Sequence, residues 1–417
     1  MTRSIVVTGL GAVTPLGEDL AASWNALIAG RDAATPLALF DTTGCRCHHA
    51  ASAGLPPLPD LSAKAIRRLA RASRLAIPAA REALACAGLL DAEGRSTLHE
   101  LPFSVSTTAG GMAFGEDFLR RVLARNRTSS RSHLFSQVSR YLSQQQVLDV
   151  QQALGFAGHS VIIANACASG ANAIGHAADL ISVGAADCVL AGGFEALTEL
   201  VFVGFDCLQA TTVDRCRPFD LNRSGLLLGE AAAFLVLESG GHAQRRGATP
   251  LCHLTGYGHT TDFFHLTQPQ PDGAALVEVM RAAATQARVA PAQIRYINAH
   301  GTATPVNDGV EAKAYLALSG DALPLTRISS TKAAIGHTLG AAGAVEALFA
   351  IQALRTGRLP PQLNLQTPIP EIAPALVGEK ESSSDMEHVM SVNLGFGGSN
   401  AALIFSRTHC QSSHGLR

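Results

Sequence analysis

One cysteine, two histidines, a lysine and a glutamate hold the chemistry this sequence offers. Cys167 sits in Asn165-Ala166-Cys167-Ala168-Ser169-Gly170, directly after the apolar run SVIIA and before a helical stretch of small residues. His300 lies in INAHGTATPVND, while Lys332, His337 and Glu346 share STKAAIGHTLGAAGAVEA. A thiol at a strand-to-helix turn meets unpaired N–H groups and the positive end of the helix dipole, which favour thiolate. Such a nucleophile, joined by histidines from two separate loops, suits carbon–carbon bond formation through an acyl-cysteine. A thiol protease needs only one histidine base, and a metal site would need closer ligand spacing.

Each residue also has a plainer reading. A buried cysteine more often packs than reacts, and a strand-end histidine is usually just a satisfied polar group. The glycine-flanked elbow and two turn-borne histidines together tip the weight toward chemistry. Lys332 and Glu346 then read as a partly buried pair that holds the histidine region in place. Leu394-Gly395-Phe396-Gly397-Gly398-Ser399-Asn400 supplies flexible backbone beside one aromatic ring, and glycine permits close approach to a ligand. It is no phosphate loop, because no helix-opening Lys-Ser/Thr follows. Cys45, Cys47, His48 and His49 lack structural-zinc spacing and read as a surface loop.

The elements that must position these groups follow a simple rhythm. Apolar strands (SIVVTG, SVIIANA, CVLAGGFEA, FLVLES) alternate with alanine-rich helical stretches, and the pattern restarts after about residue 250 with CHLTGYG, IRYINAHG, HVMSVNLG and AALIF. That alternation predicts an α/β protein with sheets covered on both faces. The expected division is an N-terminal half, 1–249, carrying the nucleophile, and a C-terminal half, 250–408, carrying both histidines. The second half repeats the order of elements, although no sequence-level repeat is evident. Segment 112–157 reads as an inserted cap or subunit contact, and 409–417 as a frayed tail.

With 417 residues, 47% hydrophobic and 16% charged, the chain is long enough for two fused subdomains around well-buried cores. A net charge of −1 argues against nucleic acid as partner. No apolar run reaches the ~18 residues of a membrane span. Nine cysteines without framework spacing fit a reducing compartment, so a cytoplasmic address is expected.

In their order along the chain, VVTGLGAVTPLG, NACASG, RPFDLNRSGLLLGE, NAHGTATPVND, TKAAIGHTLGAAGAVE and GFGGSN make the sequence resemble the elongating β-ketoacyl-acyl carrier protein synthases of the thiolase-like superfamily. The resemblance covers nearly the whole chain. It implies a five-layered αβαβα fold of two similar halves, usually as a dimer. It implies further that Cys167 is acylated by a carrier-bound thioester and that His300 and His337 stabilise the enolate left when malonyl-carrier protein loses carbon dioxide. The N–H groups of Cys167 and Phe396 would form the oxyanion hole. Thr302 and Thr304 match pantetheine-binding positions, Lys332 matches the lysine supporting the histidines, and no metal or redox cofactor is implied. The partner would be acyl carrier protein, docking near Lys64, Arg67 and Arg68 within a wider set of basic residues that includes Arg71, Arg74, Arg120, Arg121, Arg125 and Arg127.

Four positions depart from common members. Asn165 stands where threonine is frequent, Ala303 where glycine or serine is, and Leu394 where an aromatic is. Ala109 replaces a bulkier pocket-lining residue, which predicts room for long, branched, unsaturated or aryl primers. Fatty acid elongation is therefore the leading expectation. A ketosynthase subunit of a specialised type II polyketide or polyene pathway, with or without a non-catalytic chain-length partner, is the alternative. A non-catalytic partner would lack the nucleophile that is intact here. A degradative thiolase would need a second cysteine, and the initiating synthases pair histidine with asparagine.

Overall fold

The computed structural model describes residues 3–124, 135–378 and 382–408. Arg125, Arg127 and the 409–417 tail therefore lie outside the described residues. Ten principal strands run in chain order: β1 Ile5–Val13, β2 Phe103–Ser106, β3 Ser160–Ile163, β4 Cys188–Glu195, β5 Ala231–Ser239, β6 Cys252–Thr261, β7 Ile294–Asn298, β8 Arg327–Ser329, β9 His388–Leu394 and β10 Ser399–Ser406. Their lateral order is β3-β2-β4-β5-β1 in the first half and β8-β7-β9-β10-β6 in the second, so each half repeats one topology. The two sheets join where Val6 and Val7 of β1 pair with His253 and Cys252 of β6.

Seven helices matter for the site: α1 Arg71–Cys86, α2 Met112–Ala124, α3 Ser169–Ser182, α4 Glu199–Cys207, α5 Ala274–Ala287, α6 Asn307–Ser319 and α7 Ala342–Thr356. Helices α3 and α7 lie between the sheets, and every residue of α7 from Ala342 to Leu354 is buried. Alanine and glycine fill their surfaces because two sheets and a partner helix leave little space. A Cβ on Gly170 would stand 2.5 Å from the Ala344 nitrogen, and one on Gly343 would stand 2.4 Å from the Ala171 nitrogen. Real Cβ contacts do not come that close, so the crossing requires both glycines.

Outer helices cover the sheets by a repeated device. Gly9 and Gly11 of β1 press against Ala83 and Ala79 of α1, as Gly256 and Gly258 of β6 press against Ala283 and Val279 of α5. The strings Thr8-Gly9-Leu10-Gly11 and Thr255-Gly256-Tyr257-Gly258 are thus a short internal repeat. It escapes a sequence reading because four residues are too few to stand out without the superposed halves.

Segment 112–157 is only partly an addition. The helix Ser143–Leu154 links the parallel strands β2 and β3 and buries Val147, Val150 and Leu154 against α1. It is the counterpart of α6, which links parallel β7 and β8. The added material is α2 and the short helix Phe135–Tyr141. Among the described residues no helix is long and apolar enough to cross a membrane.

Candidate active site

Strand β3 ends at Ile163, and the chain turns sharply through Asn165 and Ala166 into a short 3-10 turn, Ala166–Ala168, before α3 begins. Ala166 takes φ of 59°, a left-handed conformation costly for a residue with a Cβ. Two bonds hold it: Ser169 Oγ accepts from the Asn165 N–H at 2.8 Å and donates to the Ala166 carbonyl at 2.5 Å. The turn places Cys167 at the mouth of α3, yet only 5% exposed. Burial pushes its thiol up to about 12, while the Lys332 ammonium and the Phe396 N–H on its sulfur pull it down. Desolvation thus opposes the thiolate that the turn at the helix terminus favours. Alkylation of Cys167 by iodoacetamide should therefore climb about tenfold per pH unit from 7 to 10. A plateau near pH 9, where an ordinary thiol levels off, would contradict this.

His300 follows β7, and α6 fixes its loop. Glu311 Oε1 accepts from the His300 N–H at 2.9 Å and Oε2 from the Gly301 N–H at 2.5 Å. Asp308, one turn earlier, accepts from the N–H groups of Ala303 at 3.0 Å and Phe219 at 2.7 Å. Ala303 sits at φ of 65°, a strain these bonds hold. Burial raises the Glu311 carboxyl to about 7, with the nearby Asp308 adding to it. His337 lies between α7 and the short helix Lys332–Ile335, and its ring meets that of His300 edge-on, with centroids 5.3 Å apart and planes at 86°.

Both imidazoles are neutral. Burial, then the Lys332 charge, holds each well below the usual histidine range. The hydrogen-bond network also assigns their tautomers. Lys332 Nζ donates to His300 Nδ1 at 3.3 Å and to the His300 carbonyl at 2.6 Å. The Leu339 N–H donates to His337 Nδ1 at 3.3 Å. With Nδ1 accepting in both rings, the proton resides on Nε2, and each ring has an Nε2–H to give. Lys332 forms a buried ion pair with Glu346, whose other oxygen accepts from Asn393 Nδ2 at 2.5 Å.

Cys167, His300, His337, Thr302, Thr304 and Phe396 all line one cavity of about 230 Å³, despite their distance in sequence. The hydroxyls of Thr302 and Thr304 lie 2.9 Å apart on one wall. Phe396 stacks on Phe205 of α4, with centroids 5.6 Å apart and planes at 21°. Gly397 and Gly398 follow at φ of 81° and 83°, which lets the loop double back so that the Gly395 N–H reaches the Ser399 carbonyl at 2.6 Å. Asn165 Nδ2 donates to Ser399 Oγ at 2.9 Å, tying the nucleophile turn to that loop. Leu394 lines the cavity as well.

Ala109 does not. It is 5% exposed and outside the cavity lining, with its N–H on Glu195 Oε1 at 2.8 Å. The structure thus puts Ala109 beside Glu195, just past the end of β2, and not in the lining of the cavity that holds Cys167. Lys64, Arg67 and Arg68 are exposed around the short helix Ala63–Ile66. Arg71, by contrast, is bound to the buried Glu230 carboxylate, and Arg120 and Arg121 pair with Glu199 and Asp117. Among the described residues no group of three or more His, Cys, Asp and Glu side chains is gathered as for a metal. Sequence reasoning missed Asp308, Glu311, Asn393, Phe205 and Glu195. The spacing of Asp308 and Glu311 along one helix was the available signal; Glu195 offered none, since its partners are three backbone N–H groups and a hydroxyl from two distant segments.

Two halves of one strand order around a pair of buried central helices define the thiolase-like class. The N-terminal and C-terminal domains of beta-ketoacyl synthase match residues 2–243 and 251–366. The chain belongs to the β-ketoacyl synthase family and is a condensing enzyme of acyltransferase type. The 3-oxoacyl-[acyl-carrier-protein] synthase 2 of Staphylococcus aureus (strain COL) is 34% identical over 413 residues, covering 97% of this chain and 98% of that protein. A chain of the ishigamide ketosynthase/chain length factor superposes with a TM-score of 0.89 at 29% identity, covering 98% of this chain and 100% of that one. A chain from AntDE:AntF, a type II PKS acyl-carrier protein in complex with its ketosynthase bound to the hexaketide, gives a TM-score of 0.88 at 25% identity, with the same coverage.

Proposed function

We propose that this enzyme condenses a Cys167-bound acyl chain with malonyl-acyl carrier protein to give 3-oxoacyl-acyl carrier protein, in fatty acid elongation. The observation that carries the reading is one small cavity holding a thiol and two imidazole N–H donors. First, Cys167 sulfur attacks the acyl thioester of the carrier, and its proton leaves with the departing pantetheine thiol. Neither histidine has a free lone pair to take that proton, so the two imidazoles do not act as bases. The developing oxyanion sits between the N–H groups of Cys167 and Phe396, each such donor contributing a factor of roughly 10²–10³. Swinging the Phe396 ring off Phe205 gives the acyl chain access.

In the second stage the malonyl thioester carbonyl accepts from His300 and His337 Nε2–H. Cleavage of the carboxylate bond releases carbon dioxide and leaves an enolate on that oxygen. The enolate carbon attacks the acyl-Cys167 carbonyl, the carbon–sulfur bond breaks, and the departing thiolate takes one proton from solvent. Electrons balance without a redox cofactor, because decarboxylation supplies the carbanion. Thr302 and Thr304 hydrogen-bond the pantetheine arm. Loading intact protein with saturated acyl-carrier proteins should add one acyl mass on Cys167, and malonyl-carrier protein should then discharge it as 3-oxoacyl product. Failure of both steps would refute the reading.

A second reading, a ketosynthase of a type II polyketide or polyene pathway, draws support from the likeness to the two polyketide-related structures. It predicts that loading or extension requires a second, homologous chain. Edge strand β3, half-buried in this protomer, suits strand addition by a partner subunit, either a second copy or such a chain-length partner. A cytoplasmic setting fits both readings.

Carrier protein, being acidic, is assigned to the exposed Lys64, Arg67 and Arg68. Replacing all three by glutamate should raise the KM for acyl-carrier substrate about tenfold or more, with kcat little changed. A KM unaltered and insensitive to salt would remove this surface from the docking site.

A further inference from the structure

Beyond the groups that face the cavity, one buried carboxylate ties together the segments that set the orientation of His337. Glu195, at the end of β4, is fully buried and forms no ion pair among the described residues. Four donors surround it instead. Its Oε1 accepts from Thr107 Oγ1 at 3.0 Å and the Ala109 N–H at 2.8 Å, and its Oε2 from the N–H groups of Thr108 at 2.7 Å and Gly340 at 3.0 Å. The Gly340 carbonyl is held from the other side by Ser106 Oγ at 2.8 Å. No side chain fits at residue 340, where a Cβ would stand 2.7 Å from the Thr108 nitrogen and 2.8 Å from the carboxylate itself.

The turn so clamped is strained. Leu339 takes φ of 49°, a left-handed conformation that a branched residue keeps only where its surroundings over-determine it. That strained residue delivers the N–H that meets His337 Nδ1 at 3.3 Å, and this contact keeps the ring proton on Nε2. A carboxylate is required because all four contacts are donors. A glutamine would turn its NH₂ toward one pair of them and leave at least one N–H group buried without an acceptor, since of the four only the Thr107 hydroxyl can turn to accept.

We propose that Glu195 is a positioning residue that, through Gly340 and Leu339, fixes the tautomer of His337 and so keeps its Nε2–H aimed at the reacting oxygen. The proposal rests on the donor role given to His337 above. In Glu195→Gln the turn is free to relax, Nδ1 loses its donor, and the neutral ring can carry its proton on either nitrogen.

The test is carbon dioxide release from malonyl-carrier protein at about pH 7.5, alongside nitrogen-15 NMR of the histidine ring tautomers and iodoacetamide alkylation of Cys167. In the wild type the His337 ring should carry its proton on Nε2 alone. Glu195→Gln should lose about tenfold or more in kcat with KM within about twofold, show a population of His337 protonated on Nδ1, and alkylate no more slowly than wild type. Ser106→Ala, which removes the bonds from Ser106 Oγ to the Gly340 and Gly192 carbonyls, should show the same pattern more weakly, and it serves as the test if Glu195→Gln does not fold. A wild-type rate and tautomer in the folded variants would overturn the proposal. So would a loss shared equally by alkylation with the His337 tautomer unchanged, the mark of a general packing defect. A wild-type protein unable to decarboxylate malonyl-carrier substrate would instead overturn the functional reading on which the proposal rests.

Discussion

A Cys167→Ala variant is expected to lose condensation by a factor of roughly 10⁴ or more while still releasing carbon dioxide from malonyl-carrier protein. The two halves of the reaction draw on different groups. The acyl chain needs the sulfur, whereas the enolate needs only the paired Nε2–H donors of His300 and His337, which the substitution leaves untouched. Removing the thiol also removes a group that burial and the Phe396 contact hold in a cramped, poorly solvated place, so the fold should not suffer. Mass spectrometry of the intact protein should find no acyl adduct, and labelled malonyl-carrier substrate should report the surviving decarboxylation. If both activities vanish together in a folded variant, the division of labour between sulfur and imidazoles is wrong.

The second large effect concerns Lys332. It is 1% exposed, and its ammonium serves the Glu346 carboxylate, the His300 carbonyl and His300 Nδ1 at once. Lys332→Met leaves Glu346 buried without its cation, which should cost about 3–5 kcal/mol. For a chain of this length that corresponds to a Tm lower by roughly 3–6 °C. Adding Glu346→Leu should recover most of the stability, because a buried pair replaced by apolar groups of like volume is often neutral. It should not recover condensation, since nothing then holds the His300 tautomer. The sign for pH follows from the same contact. The lysine charge disfavours imidazolium at His300, so its removal lets that ring protonate at higher pH than in the wild type. Calorimetry on single and double variants, with activity beside it, checks both parts. Equal recovery of stability and activity in the double variant would show Lys332 to be structural only.

Much of the site was legible in the sequence because its residues sit where elements end. Cys167, His300 and His337 each follow a strand or short helix and adjoin glycine or alanine in a turn, and such positions stand out without coordinates. The apolar alternation likewise showed two α/β halves. Short strands β2 and β8 were less visible, since Phe103-Ser104-Val105-Ser106 and Arg327-Ile328-Ser329 are at least half polar and gain their strand character from parallel pairing, β2 with two neighbours and β8 with one. The resting state of the thiol could not be read at all. A helix terminus can be inferred from residue types, but the desolvation that opposes it depends on what the rest of the chain packs around the sulfur. Nor could the contact between the Ala109 N–H and Glu195 be read, since it joins segments far apart in the chain.

Occupied lone pairs on both imidazoles bear on how long an acylated enzyme survives. Hydrolysis of a thioester needs something to draw a proton from water, and neither ring can do so while Lys332 and the Leu339 N–H fill its Nδ1. The same orientation that cradles an enolate therefore leaves any stray solvent molecule inert, so the loaded chain can wait, unspent, for the arrival of its extender.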